Sequence, residues 1–366
     1  FFNDESKLKG TTTIRKSGMR GNGEMALRGA EMFSKDYKLS RWEIDVEKSS
    51  FQMKDIFNDE EKDISDNPLV MKTDNVKGNI NFKKRKGSFQ SNLGISIVEL
   101  PVNQYICKVD QFSWLMDDNE MPFETKDSDN LSKESNNNQP NFFSTHPDQD
   151  SLRFKARSAR YDIKNKVIYC SKTEYIQVAD ARIYPDSMKV IIRRDAEMDP
   201  FENAEIIANF TSKYHKIDKA KAKISSRTSY IAEGYYDYSS GDGKTYNIFL
   251  DEITVNDAKQ TVAKGEISKE KNFKLSPEFD FYGSINLEAD SPELIFDGAT
   301  RINHECEKFD RNWMSFSAPL DPKNIQIPVS ESMEDLEGNS ISAGIRWRHS
   351  SDPDSIMLYP TFLSST

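Results

Sequence analysis

The sequence predicts an all-β protein: short antiparallel strands stacked into an elongated, jelly-roll-like or solenoid-like body, with very little helix. Three observations carry that expectation. Apolar residues alternate with polar ones at a period of two, most clearly over 158–198, where Val167 and Tyr169, Ile176 and Val178, Ala181 and Ile183, and Val190 and Ile192 succeed one another. That period places every second side chain on one face of a strand. Turn phrases such as Lys164-Asn165 and Tyr184-Pro185-Asp186-Ser187 punctuate the alternation at short intervals. The 366 residues are only 36% hydrophobic and 30% charged, which suits a thin structure with much surface, while 11% aromatic content argues against wholesale disorder.

Each segment supports the same grammar. Residues 8–53 read as three or four strands, through Gly21-x-Gly23-x-Met25-x-Leu27-x-Gly29, then Tyr37 and Leu39, then Trp42, Ile44 and Val46. Residues 58–68 form a polar, turn-rich loop. Over 69–116 the alternation resumes: Val76, Ile80 and Phe82, then Phe89, Leu93, Ile95 and Ile97, then Tyr105, Cys107 and Val109. Residues 117–150, rich in Asp, Asn, Glu and Ser, break the pattern and are expected as a surface insertion or linker.

From residue 151 onward a glycine-bearing phrase recurs. It appears as Thr261-x-Ala263-x-Gly265-x-Ile267, as Leu294-x-Phe296-x-Gly298-x-Thr300-x-Ile302, as Gly283-x-Ile285-x-Leu287-x-Ala289 and, in part, as Tyr230-x-Ala232-x-Gly234. Glycine at such positions is expected to admit a second backbone layer. Residues 199–209 are the one expected helix, with Asp199 as cap and Pro200 in its first position. Ile341-x-Ala343-x-Ile345-x-Trp347 and Met357-x-Tyr359 are expected to pair as a terminal hairpin. The organisation read from these shifts is an N-terminal β-repeat lobe (1–116), a polar insertion (117–150), a central β-repeat lobe (151–305) and C-terminal loops with the hairpin (306–366).

The net charge of −10 opposes nucleic-acid binding. One basic cluster stands out, Lys83, Lys84, Arg85 and Lys86, between Phe82 and Phe89. It reads as a solvated hairpin turn, or as a contact to a phosphate such as a lipid headgroup. Three distant cysteines, Cys107, Cys170 and Cys306, with no Cys-x-x-Cys, read as free thiols rather than a zinc or redox motif. No apolar run reaches the roughly 18–20 residues that span a bilayer. The start at Phe1, in mid-pattern and without a signal peptide, fits a processed or truncated piece.

The phrase from Ala159-Arg160-Tyr161-Asp162 through Val167-Ile168-Tyr169 resembles the OstA/LptA-type β-repeat, in which an Ala-x-Tyr-Asp phrase opens a strand pair. Val178-Ala179-Asp180-Ala181-Arg182-Ile183-Tyr184 and Leu250-Asp251-Glu252-Ile253-Thr254-Val255 resemble the strands of that family. The likeness covers residues 151–302 well and 8–110 loosely. It is similar, too, to large cell-envelope proteins of Bacteroidota that carry such repeats in series. The resemblance implies a V-shaped or jelly-roll-like β-body outside the cytoplasm, in the periplasm or at the outer membrane. In the lipopolysaccharide-transport branch the groove carries lipid; here polar side chains stand where aliphatics would line it. Asp150-Ser151-Leu152, Asp186-Ser187-Met188 and Asp354-Ser355-Ile356 look like the O-glycosylation acceptor of such envelope proteins, on Ser151, Ser187 and Ser355; Asp and Ser in these phrases also serve ordinary turns.

Catalytic patterns fail on context. Gly21-Asn22-Gly23-Glu24-Met25-Ala26 matches a dinucleotide fingerprint, with Asp45 at about the expected distance, but Met25, Leu27 and Gly29 alternate as a strand where a helix is required. His304-Glu305-Cys306 offers too few metal ligands, His146, His215 and His349 are scattered, and 127–138 lacks the spacing of a calcium loop. No Gly-x-Ser-x-Gly occurs. Asp162, Asp180, Asp195 and Glu197 lie on the repeat body, where a polysaccharide-cleaving enzyme would place its acids, but they recur at turns and strand edges. Trp42, Trp114, Trp313 and Trp347 serve as core or partner contacts, or stack on sugars. The expectation is a non-enzymatic structural or interaction module of a bacterial envelope protein, without catalytic residues, cofactor or metal. Its partners would be other envelope proteins or further β-repeats. A lipid or glycolipid carrier and a polysaccharide-binding or -cleaving protein are the alternatives.

Overall fold

The computed structural model describes residues 2, 5–57, 67–125, 139–240, 243–303, 311–321, 325, 333–349 and 356–365, the last stretches (342–349 and 356–365) by backbone alone. The protein is all-β, as the alternation requires. Strands make up 64% of it, helical turns 5%, and no helix reaches seven residues. Among the described residues no helix is long and apolar enough to cross a membrane. Two compact units form: one from Phe1–Val178, Ile183–Phe201 and Lys223–Ser229, the other from Ala179–Arg182, Glu202–Ala222 and Tyr230–Thr366.

The first unit opens as a meander. Ser6–Arg15, Gly18–Leu27, Ala30–Leu39, Glu43–Lys54 and Leu69–Asn81 each pair antiparallel with the next. The last of these then forks. Its Val76–Asn81 half pairs with Lys86–Ser91, while Lys72 and Thr73 pair with Ser96–Leu100. Asn75 stands between the two pairings with φ 56°.

Two ladders grow from the fork. One runs through Lys86–Ser91, Gln111–Leu115, Glu120–Glu124, Ser158–Asp162, Val167–Ser171 and Val190–Ile192. The other runs through Ser96–Leu100, Tyr105–Val109, Phe142–Ser144, Arg153–Phe154 and Ile176–Val178. The chain crosses from ladder to ladder at short intervals, so each apolar phrase in the sequence feeds one side of a shared core. Phe89, Phe112, Phe123, Tyr161, Ile168 and Cys170 are buried on the first ladder, and Val98, Tyr105, Cys107, Phe142 and Phe154 on the second. Phe89 stacks on Phe112 at 4.7 Å between centroids, and Phe142 on Phe154 at 5.3 Å. Asn103 ties the corners, its Nδ2 donating to the carbonyls of Lys166 at 2.7 Å and Arg193 at 2.9 Å.

The second unit is a longer meander. From Ser229–Ser239 it proceeds through Thr245–Val255, Thr261–Ile267, Phe279–Glu288, Leu294–Ile302 and Met314–Leu320, all antiparallel. Its core is aromatic: Tyr238, Phe273, Phe281 and Phe296 are buried against one another, and the Tyr238 hydroxyl donates to the Leu275 carbonyl at 2.8 Å. Gly283 and Gly298 face each other across paired strands. A Cβ on Gly298 would lie 2.7 Å from the Gly283 Cα, and one on Gly265 would lie 2.5 Å from the Phe249 carbonyl oxygen. The repeated glycines therefore admit the neighbouring strand of the same ladder, rather than a second layer. Ile341–His349 and Ile356–Ser365 pair as the terminal hairpin.

Four further expectations change. Residues 199–209 form a strand, Phe201–Ala208, because Ala204, Ile206 and Ala208 alternate inward and outweigh the helix-start signal. Residues 117–150 are not simply a linker: Glu120–Glu124 and Phe142–Ser144 are rungs of opposite ladders, and the compact units divide elsewhere. Leu93, Ile95 and Ile97 face outward, at 81%, 57% and 55% exposure, while Ser96, Val98 and Leu100 turn in. Pairing of Thr73 with Val98, and a hydrogen bond from Thr73 Oγ1 to the Ile97 carbonyl at 2.8 Å, set that register, and a shift of one residue exchanges the faces. The same phase error exchanges Tyr169 for Ile168 and Cys170 on the inner face.

One buried ion pair joins distant parts of the first unit. Lys166 Nζ lies 2.9 Å from Asp55 Oδ2, with side-chain exposures of 10% and 4%. Removing one partner strands the other charge out of water. Lys166→Met is expected to cost about 3–5 kcal/mol in urea unfolding, and Asp55→Asn combined with it to recover part of that loss. Single and double variants of equal stability would exclude this role.

Candidate functional site

The strand Ser6–Arg15 carries the most distinctive surface of the first unit. Ser6, Leu8, Gly10, Thr12 and Ile14 share the face that continues toward the core. Leu8 meets the backbone of Gly21, where a Cβ would come within 2.8 Å of Leu8 Cδ2 and 3.4 Å of Leu39 Cδ1. The covered core ends there. Residues 9–15 are exposed on both faces, Ile14 at 78%. The strand pairs with Gly18–Leu27 along one edge, and among the described residues Lys7–Arg15 have no strand partner along the other.

Its composition adds to this. Residues 6–16 hold Lys7, Lys9, Arg15 and Lys16 and no carboxylate, in a chain of net charge −10. Charged side chains on an edge strand discourage indiscriminate sheet extension. The three or four strands expected over 8–53 rest on Gly21 to Val46 and do not single out this one, whose Lys9–Thr13 stretch has no apolar alternation; which edge goes unpaired depends on tertiary pairing.

The basic cluster is the expected hairpin turn. It joins Leu69–Asn81 to Lys86–Ser91, and the Lys84 amide donates to Asn81 Oδ1 at 2.8 Å. Arg85 is committed to Glu5 and to Asp117, which lies 3.1 Å from its Nε, and these partners hold its pKa above the ordinary guanidinium value. Lys83, Lys84 and Lys86 are exposed. Ser151 and Ser187 are exposed on left-handed turn positions, φ 54° and 56°. Ser355, His304-Glu305-Cys306 and 127–138 lie outside the described residues.

The expected acids hold turns. Asp162 accepts from the amide and side chain of Asn165 at 2.9 and 2.8 Å. Asp195 accepts from Gln104 Nε2 at 3.2 Å, and Glu197 closes its turn through backbone bonds to Arg193 and Arg194. Asp180, in the second unit, accepts from the amide and hydroxyl of Thr261 at 2.9 and 2.7 Å, and Thr261 Oγ1 lies 2.9 Å from the Tyr230 hydroxyl. The nucleotide-like glycines lie inside Gly18–Leu27, paired on both edges, with a bulge between Gly21 and Gly23. Trp114 is core, and Trp42 and Trp313 are partly exposed; the Trp347 side chain lies outside the described residues.

Two histidines are placed by hydrogen bonds. His146 Nδ1 caps a turn by accepting from the Asp148 amide at 3.1 Å. His215 is buried; Nε2 lies 2.6 Å from the Ser291 carbonyl and Nδ1 3.3 Å from the Tyr236 hydroxyl. A carbonyl only accepts, so Nε2 carries the proton and Nδ1 accepts from Tyr236. Comparison with protein-family models, with curated proteins and with solved structures returns no match.

Burial lowers the His215 pKa, more than its bond to Ser291 raises it. The unfolded chain therefore takes up this proton first as pH falls below about 6.5. The stability His215 contributes is full above that pH and is lost as pH falls toward its folded pKa. The stability difference between wild type and His215→Gln should shrink from pH 7.5 to pH 5; a constant difference would contradict the assignment. Burial also pushes the Cys107 and Cys170 thiols upward, leaving no thiolate at neutral pH. Mass spectrometry after iodoacetamide treatment should find both unmodified in the native protein and both alkylated in urea.

Proposed function

We propose that this chain is a non-enzymatic structural and interaction module of a bacterial cell-envelope protein, and that Ser6–Arg15 is its contact strand. The observation that carries the reading is that strand's edge. It runs outward past the covered core, and among the described residues no strand pairs with Lys7–Arg15 on one side. An extended segment of a partner, or a further β-repeat, adds there by backbone hydrogen bonds and covers Ile14. The four cations of residues 6–16 select an acidic segment over a copy of themselves.

The resemblance to OstA/LptA-type repeats supports an extracytoplasmic location and this mode of contact. The filled interior favours a scaffold over a lipid-carrying groove. Phe51 packs against Phe89, Phe112 and Trp114 at 4.8 to 6.1 Å between centroids, and all four are buried.

A photo-crosslinking residue at Thr12 should give protein adducts in the envelope fraction of the producing bacterium. The same residue at Lys264, exposed on a strand paired along both edges, should not. Recovery of the chain in the cytosol, or equal adducts at both positions, would refute the reading.

A further inference from the structure

We propose that Trp313, Tyr282, Lys269 and Arg301 form a binding site for an acidic saccharide. The four come from separate parts of the second unit. Tyr282 lies on Phe279–Glu288, Arg301 on Leu294–Ile302, Trp313 directly before Met314–Leu320, and Lys269 opens the turn Lys269–Lys271. The three strands are consecutive neighbours, so their outward side chains share one face. On the opposite face Phe281 and Phe296 are buried.

The rings meet at a corner. Tyr282 and Trp313 lie 4.7 Å apart between centroids, with their planes at 73°. Arg301 is 4.6 Å from the Trp313 ring centre, and Lys269 Nζ is 5.4 Å from Trp313 and 5.6 Å from Tyr282. Both rings are half-buried, so part of each reaches solvent beside two cations.

Those cations retain capacity for an anion. Among the described residues Lys269 has no carboxylate within ion-pair distance. The adjacent Glu270 carboxylate instead hydrogen-bonds its own backbone amide and the Ser268 hydroxyl, and its pKa is lowered for that reason first. Asp280 meets Arg301 through Nε, at 2.9 Å, so the Nη edge is not the one engaged. Packing explains why Arg301 lies against Trp313. It does not explain an exposed lysine gathered over the same two rings on an acidic protein.

The chemistry of the set fits a sugar acid. The C–H face of a pyranose packs on an aromatic ring, and its carboxylate meets Lys269 and Arg301 as charge-assisted hydrogen-bond acceptor. A single strand of nucleic acid also uses stacked rings and cations, but it needs a basic track along its backbone. Here two cations stand on a chain of net charge −10.

The test is calorimetric titration of the full chain with oligogalacturonate, with a neutral dextran oligomer and with oligo(dT). Oligogalacturonate should bind, and the other two should not. Lys269→Gln should weaken binding about fivefold and Trp313→Ala about tenfold or more, the latter equivalent to roughly 1.4 kcal/mol. Lys269 is exposed and outside the core, so its substitution should leave the melting temperature unchanged and keeps the test valid if Trp313→Ala unfolds. No heat with oligogalacturonate, undiminished binding by Lys269→Gln, or preference for dextran or oligo(dT) would overturn the assignment. The site shares no residue with the Ser6–Arg15 edge, and either reading stands or fails without the other.

Discussion

Strand Leu69–Asn81 keeps one neighbour, Glu43–Lys54, along one edge but divides its other edge between Lys86–Ser91 and Ser96–Leu100. A flat strand cannot serve two diverging ladders. Asn75, at φ 56° between the two pairings, supplies the local bend, in a backbone region that asparagine tolerates better than most residues. Once the ladders diverge, each has an inner face that must leave water. The chain covers both by sending successive short hairpins alternately to one and the other. Phe89, Phe112, Phe123 and Tyr161 are thereby set on one inner face, and Val98, Tyr105, Cys107 and Phe142 on the other. The crossing also explains the brevity of the apolar phrases: a rung of five residues is long enough to place two or three side chains inside before the chain turns.

That arrangement decides where chemistry can reside. The interior holds titratable groups, but burial keeps Tyr105, Tyr161, Cys107 and Cys170 in their neutral forms, each pKa driven upward mainly by desolvation. The buried pair Lys166 with Asp55 is closed on itself and holds a turn of the 158–171 hairpin in place. Reactive or recognising groups must therefore stand outside, on edges, turns and outer faces. The acids on the repeat body, Asp162, Asp195 and Glu197, make hydrogen bonds at the turns between rungs.

Much of this was legible in the sequence, because period-two alternation is a local property. It located the strands around Ile176, Ala181, Val190, Thr261 and Leu294, and it rejected a nucleotide site at Gly21. What it missed depends on pairing between distant residues. Leu93, Ile95 and Ile97 alternate as well as Ser96, Val98 and Leu100 do, and only the register with Thr73 and Cys107 decides which set is buried. The strand at Phe201–Ala208 was masked by Asp199-Pro200, a signal that begins helices and here precedes a strand. Of the four residues proposed to bind a saccharide, only Trp313 stands out in the sequence. Lys269 and Trp313 are 44 positions apart in sequence and meet because three strands return to one face.

The overall charge sharpens the meaning of both surfaces. A chain at −10 repels anions at long range, yet at physiological salt that field fades over about 8 Å. Attraction to an acidic partner is then confined to places where cations cluster. Residues 6–16 and the Lys269–Arg301 corner differ in what accompanies the charge. Along the strand it is Ile14 and a backbone edge with no strand partner among the described residues, which suit an extended polypeptide; at the corner it is two half-buried rings, which suit a ring-shaped ligand. Global repulsion and local attraction together make each surface selective: an anion gains only by direct contact, and the groups beside the cations determine which anion has the shape to make it.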